Sequence, residues 1–242
     1  MANKKVIIEN TIGEGRKEQY RLTIKTGPLF WLDTDKPILL PFSIYSTIYD
    51  GIDGNCKIIG LLQFVKKNVK GKITVVLCTG AHLNVLSLRY SQDIIRTKSV
   101  VYQDAKKLLE RYSKEFQGCQ VIYWEDFVNK NLNYNLFKSQ IKSLFETNKD
   151  FHEQVKNDAE SLYNYKHPTG DVDKNLYIKL ATLYLLEMSI FVYIASKKGY
   201  RFEIYPGKRP LTLVFINDNF LEDSAKLAWI NIGLSGLKKV IS

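Results

Sequence analysis

The sequence is poor in the residues that build metal centres and disulfide frameworks. It has three cysteines, Cys56, Cys78 and Cys119, widely spaced and with no CxxC among them. Its three histidines, His82, His152 and His167, fall into no ligand spacing. This argues against a disulfide scaffold and a structural zinc site, and points to a reducing, cytoplasmic setting. The signature loops of several enzyme classes are missing too. There is no GxxxxGK(S/T) phosphate loop, no GxSxG nucleophile elbow and no HExxH helix. Gly13-Glu14-Gly15 leads into a strand rather than a helix, so it reads as a hairpin turn and not as a dinucleotide fingerprint. P-loop NTPases, NAD enzymes, ordinary α/β-hydrolases and zincins all lose ground. The start, MANKKVIIEN, is too short and too polar for a signal peptide. No repeat, linker or low-complexity tract interrupts the 242 residues, which read as one domain, 1–242.

What the chain does have is apolar mass and positive charge. An apolar share of 45% suffices for a sizeable core. The formal net charge of +10 favours an anionic partner such as nucleic acid, although a Lys-rich surface alone gives the same balance. Hydrophobic periodicity predicts strands near Val6–Ile8, Tyr20–Lys25 and Ile38–Ser43. A helix over Lys57–Val69 follows, with Ile58, Ile59, Leu61, Leu62 and Val65 on one side and Gly71 as its stop. The β-branched run Ile73–Thr79 suits a strand buried on both faces. Further on come helix Val100–Phe116, strand Gln120–Trp124, helices Tyr134–Glu146 and Asp150–Tyr165, helix Lys174–Lys197 and strand Tyr200–Tyr205. Leu211–Ile216 reads as another strand and Leu221–Trp229 as a short helix. This alternation is that of an α/β domain with a mainly parallel sheet flanked by helices. Ligands of such sheets bind beyond the carboxyl ends of the strands.

Glu187 stands out. It is the sole charge between Lys179 and Lys197, in the run LATLYLLEMSIFVYIAS. A carboxylate on so apolar a helix is costly unless paired, hydrogen-bonded or protonated. Either a buried Lys, Arg or backbone amide holds it, or it serves a function. The central charge and modest length make a buried core helix the better reading than a membrane span. Ser43, after the apolar run ILLPF, is either a turn-capping serine or a hydroxyl pointed into a cleft. Tyr205, before Pro206-Gly207, is either a core tyrosine or a cleft residue.

Together these segments resemble the cyclodipeptide synthases. PFSIYS matches the family's serine after the first buried strand, LYLLEMSIF its glutamate helix, and EIYPGKRPL its strand ending in Tyr. Ser46, three after the serine, and the pair Tyr205-Pro206 place the likeness in the branch with Tyr-Pro at the strand end. The resemblance covers about Ile38 to Leu211. One position departs: the family's helix tyrosine sits four before the glutamate, where this chain has Leu183, with Tyr184 three before. Three- and four-residue spacings share a helix face, so Tyr184 can take that place.

The resemblance implies a Rossmann-like fold similar to class I tyrosyl- and tryptophanyl-tRNA synthetase catalytic domains. It implies an ATP-independent aminoacyltransferase that uses two aminoacyl-tRNAs and releases a 2,5-diketopiperazine, with no cofactor, no metal and no membrane, as a monomer. Neither a HIGH-like nor a KMSKS-like element is present, in keeping with a substrate already activated as an ester. The implied route is ping-pong, through an aminoacyl-enzyme and a dipeptidyl-enzyme on Ser43, with Glu187, Tyr205 and Tyr184 as catalytic partners. Leu39, Pro41, Ser46, Val76, Cys78, Ile190 and Glu203 correspond to substrate-lining positions. At Glu203, where the family is often apolar, a polar contribution to selectivity and a plain ion pair with Arg201 stand side by side. Arg96, Lys98, Lys106, Lys107, Arg111 and Lys114 form a basic stretch where the family docks tRNA; Lys107, Arg111 and Lys114 share a face at four- and three-residue spacing. A solvated surface helix is the plainer reading of that stretch, since Glu110 and Glu115 are interspersed. A non-catalytic RNA-binding α/β protein and a serine hydrolase or acyltransferase on another activated ester are the competing functions.

Overall fold

The structure, a computed structural model, describes residues 2–12, 16–26, 35–44, 51–80, 83–89, 93–166, 173–206 and 209–240. Its frame is a seven-stranded sheet in the order β1-β2-β7-β6-β3-β4-β5. The middle one of its five mutually parallel strands is β3 (Ile38–Phe42), whose five residues are all buried. It pairs in parallel with β4 (Ile73–Leu77) on one side and β6 (Phe202–Tyr205) on the other. Outside these lie β5 (Gln120–Tyr123), parallel to β4, and the start of β7 (Ala228–Lys239), parallel to β6. β3 and β4 are buried along their whole length and almost wholly apolar, as parallel strands covered on both faces must be. The second half of β7 turns to a different partner and pairs antiparallel with β2 (Arg16–Thr26). β2 in turn pairs antiparallel with β1 (Ala2–Ile12), in a register that brings Ile12 opposite Arg16. The expected Gly13-Glu14-Gly15 turn itself lies outside the described residues, as does the turn expected at His167–Gly170.

Strand parity divides the core into two layers. Ile38, Leu40 and Phe42 face one way with Val75, Leu77 and Ile204, against α1 (Gly51–Asn68) and α3 (Ile94–Arg111). Leu39 and Val76 face the other way, into a layer built on α5 (Tyr134–Thr147), α6 (Lys149–Lys166) and α7 (Lys174–Lys197). α7 is the organising helix of that layer. Asp173 starts it by accepting from the N–H groups of Asn175 and Leu176, and its second half is almost wholly buried. It is the one described helix long and apolar enough to cross a membrane, but half of its most apolar window is buried within this fold. Gly71, expected as a helix stop, lies where a Cβ would meet the Lys36 carbonyl oxygen at 2.1 Å, so only glycine fits the approach of these two loops.

The chain departs from the sequence-based expectations in several places. Leu211–Asn219 is a helix, α8, not a strand. Its six apolar and β-branched residues suit either state locally; a tertiary contact decides, because Asp158 of α6 accepts from both the N–H and the hydroxyl of Thr212 at 2.7 Å and so caps the helix start. Leu221–Trp229 is not a helix: after a single 3₁₀ turn at Asp223–Ala225 the chain enters β7. The alternation of Ile230, Ile232 and Leu234 with polar or small residues is the strand signal there. α2 (Leu83–Arg89) and a π-helical turn at Glu125–Asn129 were not anticipated. The basic helix α3 begins at Ile94, where Asp93 caps it, and stops at Arg111; Lys114 belongs to a separate single turn, α4 (Ser113–Phe116).

Asp158→Ala should therefore uncap α8. Loss of a helix cap and of a buried hydrogen bond to Thr212 is expected to cost about 1–2 kcal/mol. A urea titration should show a lower midpoint with an unchanged slope; an unchanged midpoint would mean that α8 does not depend on this interaction.

Candidate active site

The strand order reverses at β3: the chain runs outward through β4 and β5, then crosses back to place β6 and β7 on the other side. Such a reversal splays the loops on either side and leaves a crevice at the carboxyl ends of the strands. Ser43 follows directly on the end of β3 and is half-buried. The Cys78 N–H donates to the Phe42 carbonyl at 3.0 Å, which keeps the ends of β3 and β4 level. Tyr205 is the last residue of β6, the next strand across the reversal. Its ring packs at 5.6 Å from that of Trp229 on β7. Burial, with Cys78 and Glu203 close by, pushes its hydroxyl well above the ordinary tyrosine range.

Glu187 lies on α7, on the same side of the sheet. The Tyr134 hydroxyl donates to its oxygens, at 3.3 and 3.1 Å, and the Trp124 indole stands close enough to favour its charged form. Burial raises its pKa; these hydrogen bonds and the charge of Lys138 pull the other way. None of the buried cations considered from the sequence holds it, among the described residues. Tyr134 shows the reciprocal effect: burial and the neighbouring carboxylate push its hydroxyl up to about 12. Trp124 stands at the end of β5, just before the π-helical turn, and its ring stacks on Phe191 of α7 at 5.1 Å. Neither Trp124 nor Tyr134 stands out in the sequence. A Trp closing a strand is the one local signal, and nothing near Tyr134 announces a partner 53 residues away.

A cavity of about 930 Å³ opens beside Glu187. Trp124, Glu125, Tyr134, Ile141, Phe145, Tyr184 and Ile190 contribute to its wall, and Lys98, Lys138, Lys142 and Lys179, all exposed, bring four cations to it. Its size is that of a site for a small organic group. Ser43, Tyr205 and Glu203 are not among its lining residues. Tyr184 connects the two regions: it lines the cavity, while Tyr205, Cys78 and Glu203 act electrostatically on its hydroxyl and, with burial, raise it well above its ordinary value. Leu183, half-exposed, stands at the cavity as well.

Of the expected substrate-lining residues that are described, only Ile190 borders the cavity. Leu39, Val76 and Cys78 are buried in the core layer beneath α7, and Pro41 shares their strand face by parity. Burial raises the Cys78 thiol to about 12, so it is no thiolate nucleophile. Ser46 lies outside the described residues. Glu203 is 1% exposed, and its charged neighbour is Arg209, at 3.9 Å, instead of Arg201. Arg201 turns to the Ser196 and Tyr200 carbonyls. The cations Arg96, Lys98, Lys106, Lys107, Arg111 and Lys114 are all exposed. Lys106 pairs with Glu110 and Lys107 with Asp104 at the surface, at 3.9 and 3.6 Å. Thr97, Val101 and Ala105 form the buried side of α3.

No protein-family model matches the chain, and no curated protein matches it in sequence. Solved structures do match. A CDPS, or cyclodipeptide synthase, from Fluoribacter dumoffii superposes with a TM-score of 0.76 at 16% identity, over 91% of this chain and 99% of its own. A CDPS from Staphylococcus haemolyticus gives 0.68 at 17% identity, over 88% of this chain and 99% of its own. The cyclodipeptide synthase from Candidatus Glomeribacter gigasporarum, solved bound to Phe-tRNAPhe, gives 0.64 at 20% identity, over 87% of this chain and 92% of its own. Nearly the whole length of each is matched, and the chain therefore has the fold of the cyclodipeptide synthases.

Proposed function

We propose that this protein is a tRNA-dependent cyclodipeptide synthase. The observation that carries the proposal is the placement of Ser43 and Tyr205 at neighbouring strand ends across the reversal of the sheet, with Glu187 held by neutral donors at an adjoining cavity. A hydrolase of activated esters needs a nucleophile and charge stabilisation. A half-buried acid placed to hold an amine is the further requirement of peptide-bond formation.

Ser43 attacks the ester carbonyl of the first aminoacyl-tRNA. The 3′-terminal ribose oxygen leaves with a proton, and the aminoacyl group is esterified to Ser43. Glu187 holds the α-ammonium of that group by charge-assisted hydrogen bonds. Its raised pKa makes it a better proton acceptor, and the freed amine attacks the ester carbonyl of the second aminoacyl-tRNA. The second tRNA leaves, and a dipeptide remains on Ser43. The dipeptide's terminal amine then attacks the Ser43 ester carbonyl, closes the six-membered ring and returns the serine oxygen to its hydroxyl form. Tyr205, whose hydroxyl keeps its proton, donates to the oxygen that gains charge in each tetrahedral intermediate. Tyr184 orients the amine beside Glu187. The exposed cations of α3 and α4, with the lysines at the cavity, receive the tRNA phosphates.

Two variants separate the proposed roles in one experiment. Enzyme mixed with one aminoacyl-tRNA and quenched rapidly should gain the mass of one aminoacyl group, and Ser43→Ala should gain none. Glu187→Gln, nearly isosteric, should still load Ser43 but lose roughly a hundredfold or more in cyclic dipeptide formation. An adduct mapped to a cysteine, or normal product from either variant, would refute these assignments.

Reversing Lys107, Arg111 and Lys114 to Glu should raise KM for aminoacyl-tRNA and flatten its salt dependence, by about one unit of log–log slope for each phosphate no longer neutralised. Unchanged tRNA affinity at both low and high salt would remove these cations of α3 and α4 from the docking surface.

A further inference from the structure

The sheet ends on one side in a long edge strand. β1 runs for 11 residues and, among the described strands, pairs with β2 alone. Edge strands present a row of N–H and C=O groups that templates association, and they are usually kept short, bulged or broken by proline. β1 has none of these devices. Its pairing with β2 runs without a register shift from Ala2 opposite Thr26 to Ile12 opposite Arg16, and it contains no proline. Its middle residue, Ile7, is 52% exposed. Lys4 and Lys5 are the kind of charge that guards an edge, but Glu9 stands two residues beyond Ile7 as Lys5 stands two before it. The partner strand within the chain answers neither charge directly: Thr23 is opposite Lys5 and Gln19 opposite Glu9.

A second copy can add to this edge antiparallel, about a two-fold axis that sets one residue opposite itself. Centred on Ile7, all the residues of both strands pair, Val6 opposes Ile8, and Lys5 opposes Glu9 twice by symmetry. Centred on Val6, Lys5 opposes Ile7 and Lys4 opposes Ile8; centred on Ile8, Ile7 opposes Glu9. Of these three registers only the first matches opposite charges and apolar residues together, and such cross-strand pairs are what stabilises a sheet. We propose that the β1 edges of two copies pair in the Ile7-centred register, joining the two sheets of a two-fold dimer into one. Where the family resemblance implies a monomer, this edge points to a dimer. β2 and β7 separate β1 from β6 and β3, so the crevice at their ends stays open in each copy. One strand pair is small beside a standard interface of about 800 Å² per partner, so the dimer belongs in the micromolar range.

Sedimentation velocity over a concentration series tests this. The protein should dimerise as its concentration rises toward about 100 µM. Lys5→Glu sets Glu opposite Glu at both symmetric positions and should weaken the dimer by roughly tenfold or more. Lys5→Glu with Glu9→Lys should restore it to within about threefold of the parent. Ile7→Cys should form a disulfide-linked dimer under mild oxidation, beyond any given by the native cysteines, because directly opposed Cα atoms lie about 4.5–5.5 Å apart. Lys5→Cys should not, since its own copy stands four residues further along, roughly 14 Å away. A chain that stays monomeric up to about 100 µM overturns the proposal and leaves the edge to an extended segment of another protein. A dimer that Lys5→Glu does not weaken, that the double variant does not restore, or that crosslinks at position 5 and not at 7 overturns it too. Cyclic dipeptide formation per subunit should be the same in all these variants, so loss of the dimer leaves the synthase reading standing, and absence of product leaves the dimer standing.

Discussion

Everything at the strand ends depends on β3 being hydrogen-bonded on both edges to parallel partners that belong to different halves of the chain. β4 follows it after one helix, whereas β6 arrives more than a hundred residues later. The backbone hydrogen bonds are the same on both sides, but the connections leave in opposite directions. The crevice between them is thus a consequence of topology. Because β3 is covered on both faces, its residues have no freedom to trade sides: a register slip of one would send Leu39 into the α1 layer and Ile38 into the α7 layer. The same parity puts Glu203 and Tyr205 on the α7 side. The side on which chemistry can occur is settled by strand packing before any catalytic group is considered.

Two carboxyl groups share that side in unlike settings. Glu187 is half-buried, accepts from a phenol beside an indole ring, and borders a cavity. Glu203 is fully buried, opposed only by an arginine beyond hydrogen-bonding distance, and burial lifts its pKa to about 7. Desolvation dominates in both, and the difference lies in what offsets it. Hydrogen bonds from neutral donors stabilise the carboxylate of Glu187 without locking it to a cation, so a substrate ammonium can still be its counter-charge. Glu203 already has a counter-charge but, among the described residues, no hydrogen bond. The first setting is the one the proposed capture of an amine requires.

Much of this is legible in the sequence where the signal is local. The β-branched run at Ile73, the apolar ILLPF and the long run around Glu187 each carry their burial in their own composition, and each lies where expected. Glu187 is conspicuous because a lone charge contradicts its surroundings. What is not legible depends on partners distant in the chain. Leu211–Ile216 is apolar enough for either a strand or a helix, and Asp158, far away on α6, caps the helical form. Arg209 sits inside the segment that draws attention to Tyr205, yet only the folded β6–α8 connection shows that it, and not Arg201, faces Glu203. Trp124 and Tyr134 meet Glu187 only once the end of β5 and the start of α5 converge on α7.

The helix α7 also bears on the one position at which the sequence departs from the pattern it otherwise resembles. At about 100° per residue, positions 183 and 184 stand on clearly different parts of the helix surface, although both lie within a turn of Glu187. Leu183 is 48% exposed, whereas Tyr184 is more deeply set and responds to Tyr205, Cys78 and Glu203. A tyrosine at 183 would place its hydroxyl on the more exposed side of the cavity wall. At 184 the hydroxyl belongs to the same electrostatic neighbourhood as the strand ends, while the ring still borders the cavity that Glu187 lines. A group meant to orient an amine between Glu187 and Ser43 must address both regions at once. Of the two neighbouring positions, 184 is the one that meets both regions, as the role proposed for Tyr184 requires.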